Sequence, residues 1–340
     1  MRYAPAILLG RVARTLARLR KPGGGSAVPG LVVNTIAPGF LPRTLNGFPG
    51  GLVIVTGSAG KSTTTKMLVA ALRASGVSVF TNQSTANISQ GLTSALLERV
   101  SLTGRIEGDI AVLEMDEGHG ALISGKLNPR VVVLTNVMVD QIDRFHDSDM
   151  VAAMLAKIAL RATGSVVLNA DDLYLARLGE GIAHGVTVNR YGVSDEVLAA
   201  NPRGLGYTLT APTRLDAADG MVLTRVSGLD ATVLVDGRVH ELRLPARGTH
   251  YAVDAITALA AARAALQFVW WTLAPRYVMG GSSTKKETAV GSMGVSELSE
   301  LFPTSFCKVV PLNFVLPSAS NPPHSHVPRS ADRGGPVFAF

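Results

Sequence analysis

Residues 52–65 decide the fold of this chain and read Leu-Val-Ile-Val-Thr-Gly-Ser-Ala-Gly-Lys-Ser-Thr-Thr-Thr. A β-branched apolar run leads into a loop of small residues, and a lysine and several hydroxyl residues then begin a helix. Gly57 and Gly60 let the backbone turn tightly, so that successive N–H groups converge on phosphate oxygens. Lys61 adds a positive charge for the terminal phosphates, and the Ser62 hydroxyl is a ligand for Mg²⁺. The segment predicts a phosphate-binding loop between a strand and a helix. An ordinary glycine turn would not need the lysine and the hydroxyl together.

Outward from this loop, the chain to about residue 190 alternates between short apolar runs and helical runs. Such alternation predicts a doubly wound α/β domain with a mostly parallel sheet and ligands at the carboxyl ends of its strands. The strand-type runs are 52–56, 77–81, 110–114, 131–135, 166–169 and 186–191, and the helical runs are 61–75, 89–100, 150–162 and 172–178.

The flanking segments differ in character from this central part. Residues 205–245 alternate around Gly and Asp turns and predict a small appended antiparallel β meander, which an Ala-rich helix over 251–266 follows. Residues 1–20 predict a basic amphipathic helix, and proline-rich residues up to about 50 predict a loose lead-in. From Gln267 onward the composition changes, with both Trp and six of the ten Phe. We therefore expect three parts: 1–50, a core domain over 51–266, and an atypical, irregular and disordered tail over 267–340.

Composition limits the class of protein. Hydrophobic residues make up 47% of the 340 and charged residues 17%, enough apolar residues for a sizeable core. The single cysteine excludes a disulfide framework and a four-cysteine zinc site. No uncharged apolar run reaches about 18 residues, and Arg11 and Arg14 interrupt any signal-peptide core, so we expect a cytoplasmic protein.

Charge is distributed unevenly along the chain. The net charge is +7, yet no acidic residue precedes Glu98. This pattern favours anionic partners such as nucleotide phosphates or an anionic membrane surface, although a solvated arginine-rich helix is an equally open interpretation. Nucleic acid is not expected, because aromatic residues are only 5% and no recognition motif accompanies the charge.

Several segments beyond the loop are similar to a known family. The short loop Thr-Gly-x-x-Gly-Lys-Ser with its following threonines resembles that of the Mur ligase superfamily. Its members are ATP-dependent ligases of peptidoglycan precursors and folylpolyglutamate synthase. The other matching segments are 113–117, 135–136, 140–145, 167–172 and 248–250. Asp140-Gln141, in place of Asp-His, and the basic N-terminal helix running into Gly-Gly-Gly-Ser resemble the MurT-type branch, a subunit of lipid II isoglutaminyl synthase.

The resemblance implies a reaction and its partners. In the family, ATP with Mg²⁺ phosphorylates a substrate carboxylate, and an amine or ammonia then attacks the acyl phosphate. In the MurT-type branch this converts D-glutamate of lipid II to D-isoglutamine in peptidoglycan synthesis, with ammonia from a GatD-type glutaminase subunit. The implied partners are thus that glutaminase and a lipid-linked peptidoglycan precursor. Through helix 1–20, peripheral contact at the inner face of the membrane is a further expectation.

The resemblance also implies roles for individual residues. The loop and its surroundings would bind ATP through Thr56, Gly57, Ser58, Ala59, Gly60, Lys61, Ser62 and Thr63, with Asn169 and His250 near the adenine. Ser62 and Glu114 would hold Mg²⁺. Lys61, Asp116, Glu117 and Asp140 are the candidate catalytic residues. For the acids, the alternative is a helix N-cap or a solvated surface position.

Three features depart from the family pattern. Tyr251 and Asp254 stand where relatives have asparagine, and Asp254 would bring negative charge toward the nucleotide. The four cysteines of MurT relatives are missing, so no zinc is expected. Residues 267–340 do not resemble the third α/β domain of the family, which suggests a truncated or frame-shifted copy with intact ATP binding and weak turnover. Another Mur-type amino-acid ligase, folylpolyglutamate synthase, or a non-catalytic ATP-binding pseudo-ligase are the alternatives.

Overall fold

The computed structural model describes residues 3–20, 27–82, 89–138, 147–209 and 220–278. Its helices are α1 Ala4–Arg20, α2 Val28–Ile36, α3 Phe40–Leu45, α4 Lys61–Ala74, α5 Ser89–Arg99, α6 Glu117–Ile123, α7 Ser148–Ala159, α8 Leu173–Glu180, α9 Asp195–Ala199 and α10 Thr249–Val278. Its strands are β1 Leu52–Thr56, β2 Val79–Thr81, β3 Ile110–Glu114, β4 Val131–Leu134, β5 Ser165–Asn169, β6 Thr187–Val193, β7 Gly220–Ser227, β8 Asp230–Val235 and β9 Arg238–Arg243. The predicted alternation of strands and helices around the loop is confirmed.

All nine strands form one sheet in the order β2-β3-β1-β4-β5-β6-β7-β8-β9. Strands β1 to β7 pair in parallel, and β8 and β9 are antiparallel to their neighbours. The expected meander is present, but it is not a separate appendage. Its first strand, β7, pairs in parallel with β6, with Arg190 opposite Gly220. The meander therefore continues the main sheet and shares its core.

Helices cover both faces of the parallel part. Every residue of β1 is buried, as expected for a central strand packed on both sides. On one face α4 and α10 pack together with the strands, and on the other lie α1, α2, α3, α5, α7 and α8.

The Ala-rich helix α10 is longer than the sequence predicts. It continues through Val278, past the composition change at Gln267; residues 267–274 contain neither glycine nor proline, and Pro275 lies within its last turn. Within the described ranges, its segment Thr249–Val269 is long and apolar enough to cross a membrane. However, 72% of its most apolar window is buried inside the structure, so this apolar surface belongs to the core.

The expected loose lead-in before β1 is wrong for residues 28–45, which form α2 and α3. Pro29 lies in the first turn of α2, where a missing N–H costs no hydrogen bond. Gly30 passes so close to α5 that an added Cβ would lie 1.8 Å from the Gln90 carbonyl oxygen. Pro29 thus begins α2, and Gly30 lets α2 pack closely against α5.

Candidate functional site

The predicted phosphate loop joins β1 to α4, at the carboxyl edge of the sheet. Strand β1 lies between β3 and β4, so the chain leaves β1 at the point where the strand order reverses, which is the usual ligand position in open α/β sheets. Helix α4 begins at Lys61, and the N–H groups of its first turn have no partners within the helix. The loop therefore ends at a helix N-terminus that favours anions.

The two loop glycines are required by the geometry. Gly57 has φ +131° and Gly60 has φ +80°, a region in which side chains are strained. An added Cβ at Gly57 would lie 2.3 Å from Thr135 Oγ1, and one at Gly60 would lie 2.3 Å from Asp254 Oδ1. The loop is thus held tightly between the end of β4 and the start of α10.

The end of β4 braces the loop through contacts that sequence reasoning missed. The N–H of Ser58 donates to the Asn136 carbonyl oxygen at 3.0 Å, and the N–H of Ala59 donates to Asn136 Oδ1 at 2.9 Å. The Thr135 hydroxyl donates to the Ala59 carbonyl oxygen at 2.7 Å. The N–H groups of Ser58 and Ala59 thus bind Asn136 and hold the loop in place. The signals in the sequence were that Thr135-Asn136 directly follows a predicted strand and matches a segment of the Mur ligase superfamily, but neither signal indicates these contacts.

Lys61 connects the loop to α6. Its Nζ donates to the carbonyl oxygens of Gly57 and Ser58, the latter at 2.8 Å, and to Glu117 Oε2 at 3.3 Å. Glu117 is almost completely buried, and its Oε1 has no hydrogen-bond partner among the described residues. Burial raises the pKa of Glu117, and the charge of Lys61 opposes that rise. A lysine thus lies between the loop and a buried carboxylate.

Ser62 and Glu114 form the second pair. The Ser62 hydroxyl donates to Glu114 Oε1 at 2.9 Å. Asn82 clamps the Glu114 backbone, because its Nδ2 donates to the Glu114 carbonyl at 2.9 Å while its Oδ1 accepts from the Glu114 N–H at 3.0 Å. Burial raises the pKa of Glu114, opposed by the Ser62 hydrogen bond and the charge of Lys61. A hydroxyl and a carboxylate side by side are hard oxygen ligands of the kind that Mg²⁺ prefers.

The remaining predicted acids differ in position. Asp116 is buried and caps α6, because its Oδ1 accepts from the His119 N–H at 3.0 Å and lies 3.1 Å from His119 Nδ1. Asp116 therefore makes the helix N-cap contact that was the alternative to a catalytic role. Asp140 lies outside the described residues. Thr56 is buried at the end of β1, and Thr63 is in the first turn of α4.

The two residues expected near the adenine belong to different elements, β5 and α10. Asn169 ends β5 and is buried; its Oδ1 accepts from the Asp171 N–H at 3.0 Å, while its Nδ2 has no hydrogen-bond partner among the described residues. His250 is exposed in the first turn of α10, with its ring centroid 4.4 Å from that of Tyr251.

Asp254 brings a negative group to the loop. It is buried in α10 and its carboxylate lies against Gly60. Burial raises the pKa of Asp254 to about 7, although the hydroxyls of Thr64 and Thr63 lower it. Burial beside the phosphate loop therefore favours the neutral form of this carboxyl group.

A parallel sheet with a phosphate loop at the switch point, a lysine at the helix start and an adjoining hydroxyl–carboxylate pair defines a P-loop α/β protein. A sequence model of the Mur ligase middle domain matches residues 55–262, which is more than half of the chain. The chain belongs to the Mur ligase family.

Individual relatives agree with this assignment. The chain is 30% identical over 178 residues to the MurT subunit of lipid II isoglutaminyl synthase from Staphylococcus aureus (strain COL), covering 52% of this chain and 39% of that protein. It is 29% identical over 230 residues to a UDP-N-acetylmuramate–L-alanine ligase from Mycolicibacterium paratuberculosis (strain ATCC BAA-968 / K-10), covering 67% and 42%. The chain thus spans about two fifths of the length of these curated relatives.

A solved structure supports the fold. Crystal structure I of MurF from Acinetobacter baumannii superposes with a TM-score of 0.52 at 19% identity, covering 78% of this chain and 53% of that chain. At this level of identity the likeness concerns the fold alone.

Proposed function

We propose that the chain binds ATP and Mg²⁺ at the β1–α4 loop and uses them to activate a carboxylate for amide-bond formation in peptidoglycan synthesis. The observation that carries this proposal is the Ser62–Glu114 hydrogen bond at 2.9 Å, directly after the phosphate loop. The pair would supply two oxygen ligands to a nucleotide-bound magnesium. Ser62 also lies in the first turn of α4, which would hold the phosphates.

The site fits a triphosphate and its metal. Gly57 and Gly60 let the loop pack against Thr135 and Asp254 where any Cβ would collide, and the N–H groups of the first turn of α4 would face the phosphates. Ser62 and Glu114 would hold Mg²⁺, leaving its other positions to water and phosphate. When bound, the metal neutralises charge on the transferring phosphoryl group. Lys61 would donate to phosphate oxygens in place of its present carbonyl acceptors.

Other residues would serve the nucleotide base and the acceptor carboxylate. The side-chain amide of Asn169 at the end of β5 would donate to the base, and the exposed ring of His250 would stack on it. The residues proposed to face the acceptor carboxylate are Asp116, Glu117 and Asp140. Phosphoryl transfer depends mostly on positioning and charge neutralisation, so these side chains would orient the carboxylate and the attacking amine.

The finer proposal is amidation of D-glutamate in lipid II to D-isoglutamine on the cytoplasmic side, with ammonia from a GatD-type glutaminase subunit. It is supported by the likeness to MurT and by Asp140-Gln141 in place of Asp-His. The second candidate is addition of an amino acid to a nucleotide-linked muramyl precursor. The longer stretch of likeness to the UDP-N-acetylmuramate–L-alanine ligase favours it.

Nucleotide binding is tested by titration calorimetry of the full chain with Mg-ATP. Lys61→Ala removes a charge-assisted contact worth about 1.5–3 kcal/mol, so we expect affinity to fall about tenfold to a hundredfold. Lys126→Ala is the matched control, because this exposed lysine precedes β4, at the opposite end of that strand from the loop, and should leave affinity nearly unchanged. Equal affinities of Lys61→Ala and wild type would refute the phosphate loop.

The reaction is tested separately. The chain is combined with a glutaminase subunit, glutamine, Mg-ATP and lipid II, and amidated product is measured by mass spectrometry. Amidation that depends on glutamine supports the finer proposal. Product formed only with a free amino acid and a nucleotide-linked precursor would replace it by the second candidate, and ATP binding with neither product would leave a nucleotide-binding protein without ligase activity.

A further inference from the structure

Exposed apolar side chains are concentrated at the N-terminus of the protein. Of the fourteen large hydrophobic residues that are exposed in the described part of the chain, eight lie on α1 and α2. We call this set the α1–α2 apolar face, and it consists of Leu8, Leu9, Val12, Leu16, Leu19, Val28, Leu31 and Ile36. Monomeric proteins rarely leave such a group uncovered without a binding role.

On α1 these residues form a continuous stripe. Leu8, Val12, Leu16 and Leu19 follow one another at spacings of three or four residues, so they lie on one side of the helix. Each is more than half exposed, and Leu19 is 76% exposed. The helix is therefore amphipathic with its apolar stripe facing outward.

The opposite side of α1 is fastened to the body of the protein. Ile7 is fully buried, and an added Cβ at Gly10 would lie 2.6 Å from Val33 of α2 and 2.8 Å from Leu97 of α5. Arg11 donates to the carbonyl oxygens of Leu97 and Val100, the former at 3.3 Å. Arg14 forms a salt bridge with Glu98. Because α1 is held from behind, its apolar stripe cannot turn inward to become buried.

The charge around the α1–α2 apolar face indicates what kind of partner binds it. Residues 1–97 contain ten Lys and Arg and no acid, and Glu98, the first acid, already pairs with Arg14. Five of these cations lie between residues 11 and 21, and two of them, Arg11 and Arg14, already contact α5 and the residue after it behind the stripe. An apolar stripe with basic neighbours and no acids is the pattern of a helix that lies in the interface of an anionic bilayer.

We propose that the α1–α2 apolar face docks the protein onto a membrane surface that contains anionic phospholipids. The apolar side chains would enter the acyl boundary, and the positive charge of the N-terminal segment would attract the anionic headgroups. This inference goes beyond the proposed ligase chemistry and stands or falls independently of it, because no residue of the face belongs to the phosphate loop.

The test is vesicle flotation of the full chain. Phosphatidylcholine vesicles are compared with vesicles of phosphatidylcholine and phosphatidylglycerol, at low and high salt. The triple variant Leu8→Gln, Val12→Gln, Leu16→Gln removes the stripe at exposed positions, and Leu102→Gln, Met150→Gln, Leu160→Gln is a matched control at exposed positions elsewhere. Circular dichroism checks that both variants fold, and sedimentation velocity measures their oligomeric state.

Wild type and the control variant are expected to float with the anionic vesicles and to be released by salt. The stripe variant is expected to partition on the order of a hundredfold more weakly, because three side chains no longer enter the acyl boundary. Equal flotation of the stripe variant and wild type would overturn the proposal, and so would equal binding to neutral vesicles. A wild-type dimer that does not float and that the stripe substitutions dissociate would assign the face to a second copy of the chain instead.

Discussion

Replacing Asp254 by asparagine tests the electrostatics of the site most directly. The carboxyl group is buried against Gly60, and burial raises its pKa from 3.8 to about 7. Between these two values the unfolded chain has lost a proton that the folded chain retains. Unfolding therefore releases a proton, and the free energy of unfolding of the wild type falls as pH rises from about 4 to about 7. At about 1.4 kcal/mol for each pH unit, the loss approaches about 4 kcal/mol.

Asparagine has nearly the same shape and no charge, so Asp254→Asn should escape this loss. We expect the variant to match wild type at about pH 4 and to be more stable by up to about 4 kcal/mol at about pH 8. Urea unfolding across this range measures the difference. Asp172, whose pKa burial raises to about 6, contributes with the same sign, but it is present in both proteins and cancels.

The control is Glu107→Gln, which removes one negative charge from an exposed position. It should change stability by less than about 0.5 kcal/mol at every pH. If the difference between Asp254→Asn and wild type did not depend on pH, or if the variant were less stable at about pH 8, the carboxyl group would not titrate as a buried acid and the reasoning would be refuted.

Three further substitutions probe the frame around the site. Gly57→Ala, with its Cβ 2.3 Å from Thr135 Oγ1, should cost at least about 2 kcal/mol and abolish ATP binding; normal calorimetric affinity would contradict this. Tyr191→Phe removes a buried hydroxyl that donates to the Thr135 carbonyl at 2.9 Å, and urea unfolding should show a loss of about 1–2 kcal/mol with ATP affinity kept. Asp172→Ala removes the N-cap of α8 and the acceptor of the buried Val137 N–H, so the melting temperature should fall through a loss of at least about 1–2 kcal/mol; an unchanged melting temperature would argue against both contacts.

Local patterns in the sequence were sufficient for much of the architecture. The β-branched run before Gly57 and the lysine and hydroxyls after Gly60 predicted β1, the loop and α4 correctly, because each depends on neighbours within a few residues. The alternation of apolar and helical runs predicted the parallel sheet for the same reason. The lead-in failed as a prediction because proline and glycine mark both loops and helix starts, and only contact with Gln90 on α5 decides which applies.

In the candidate site too, the sequence predicted the residue types but not their contacts. Lys61, Ser62 and Glu114 were recognisable as residue types, but nothing in their order shows that Ser62 pairs with Glu114 while Lys61 pairs with Glu117. Those pairings exist because β1 and β3 are neighbours in the sheet, although 52 residues separate Ser62 from Glu114.

The sequence by itself determined the strand, loop and helix, since backbone sterics and side-chain periodicity act over a few residues. The tertiary structure alone decided the bracing of the loop by Asn136 and the burial of Asp254, since hydrogen bonding and desolvation depend on which distant segments pack together.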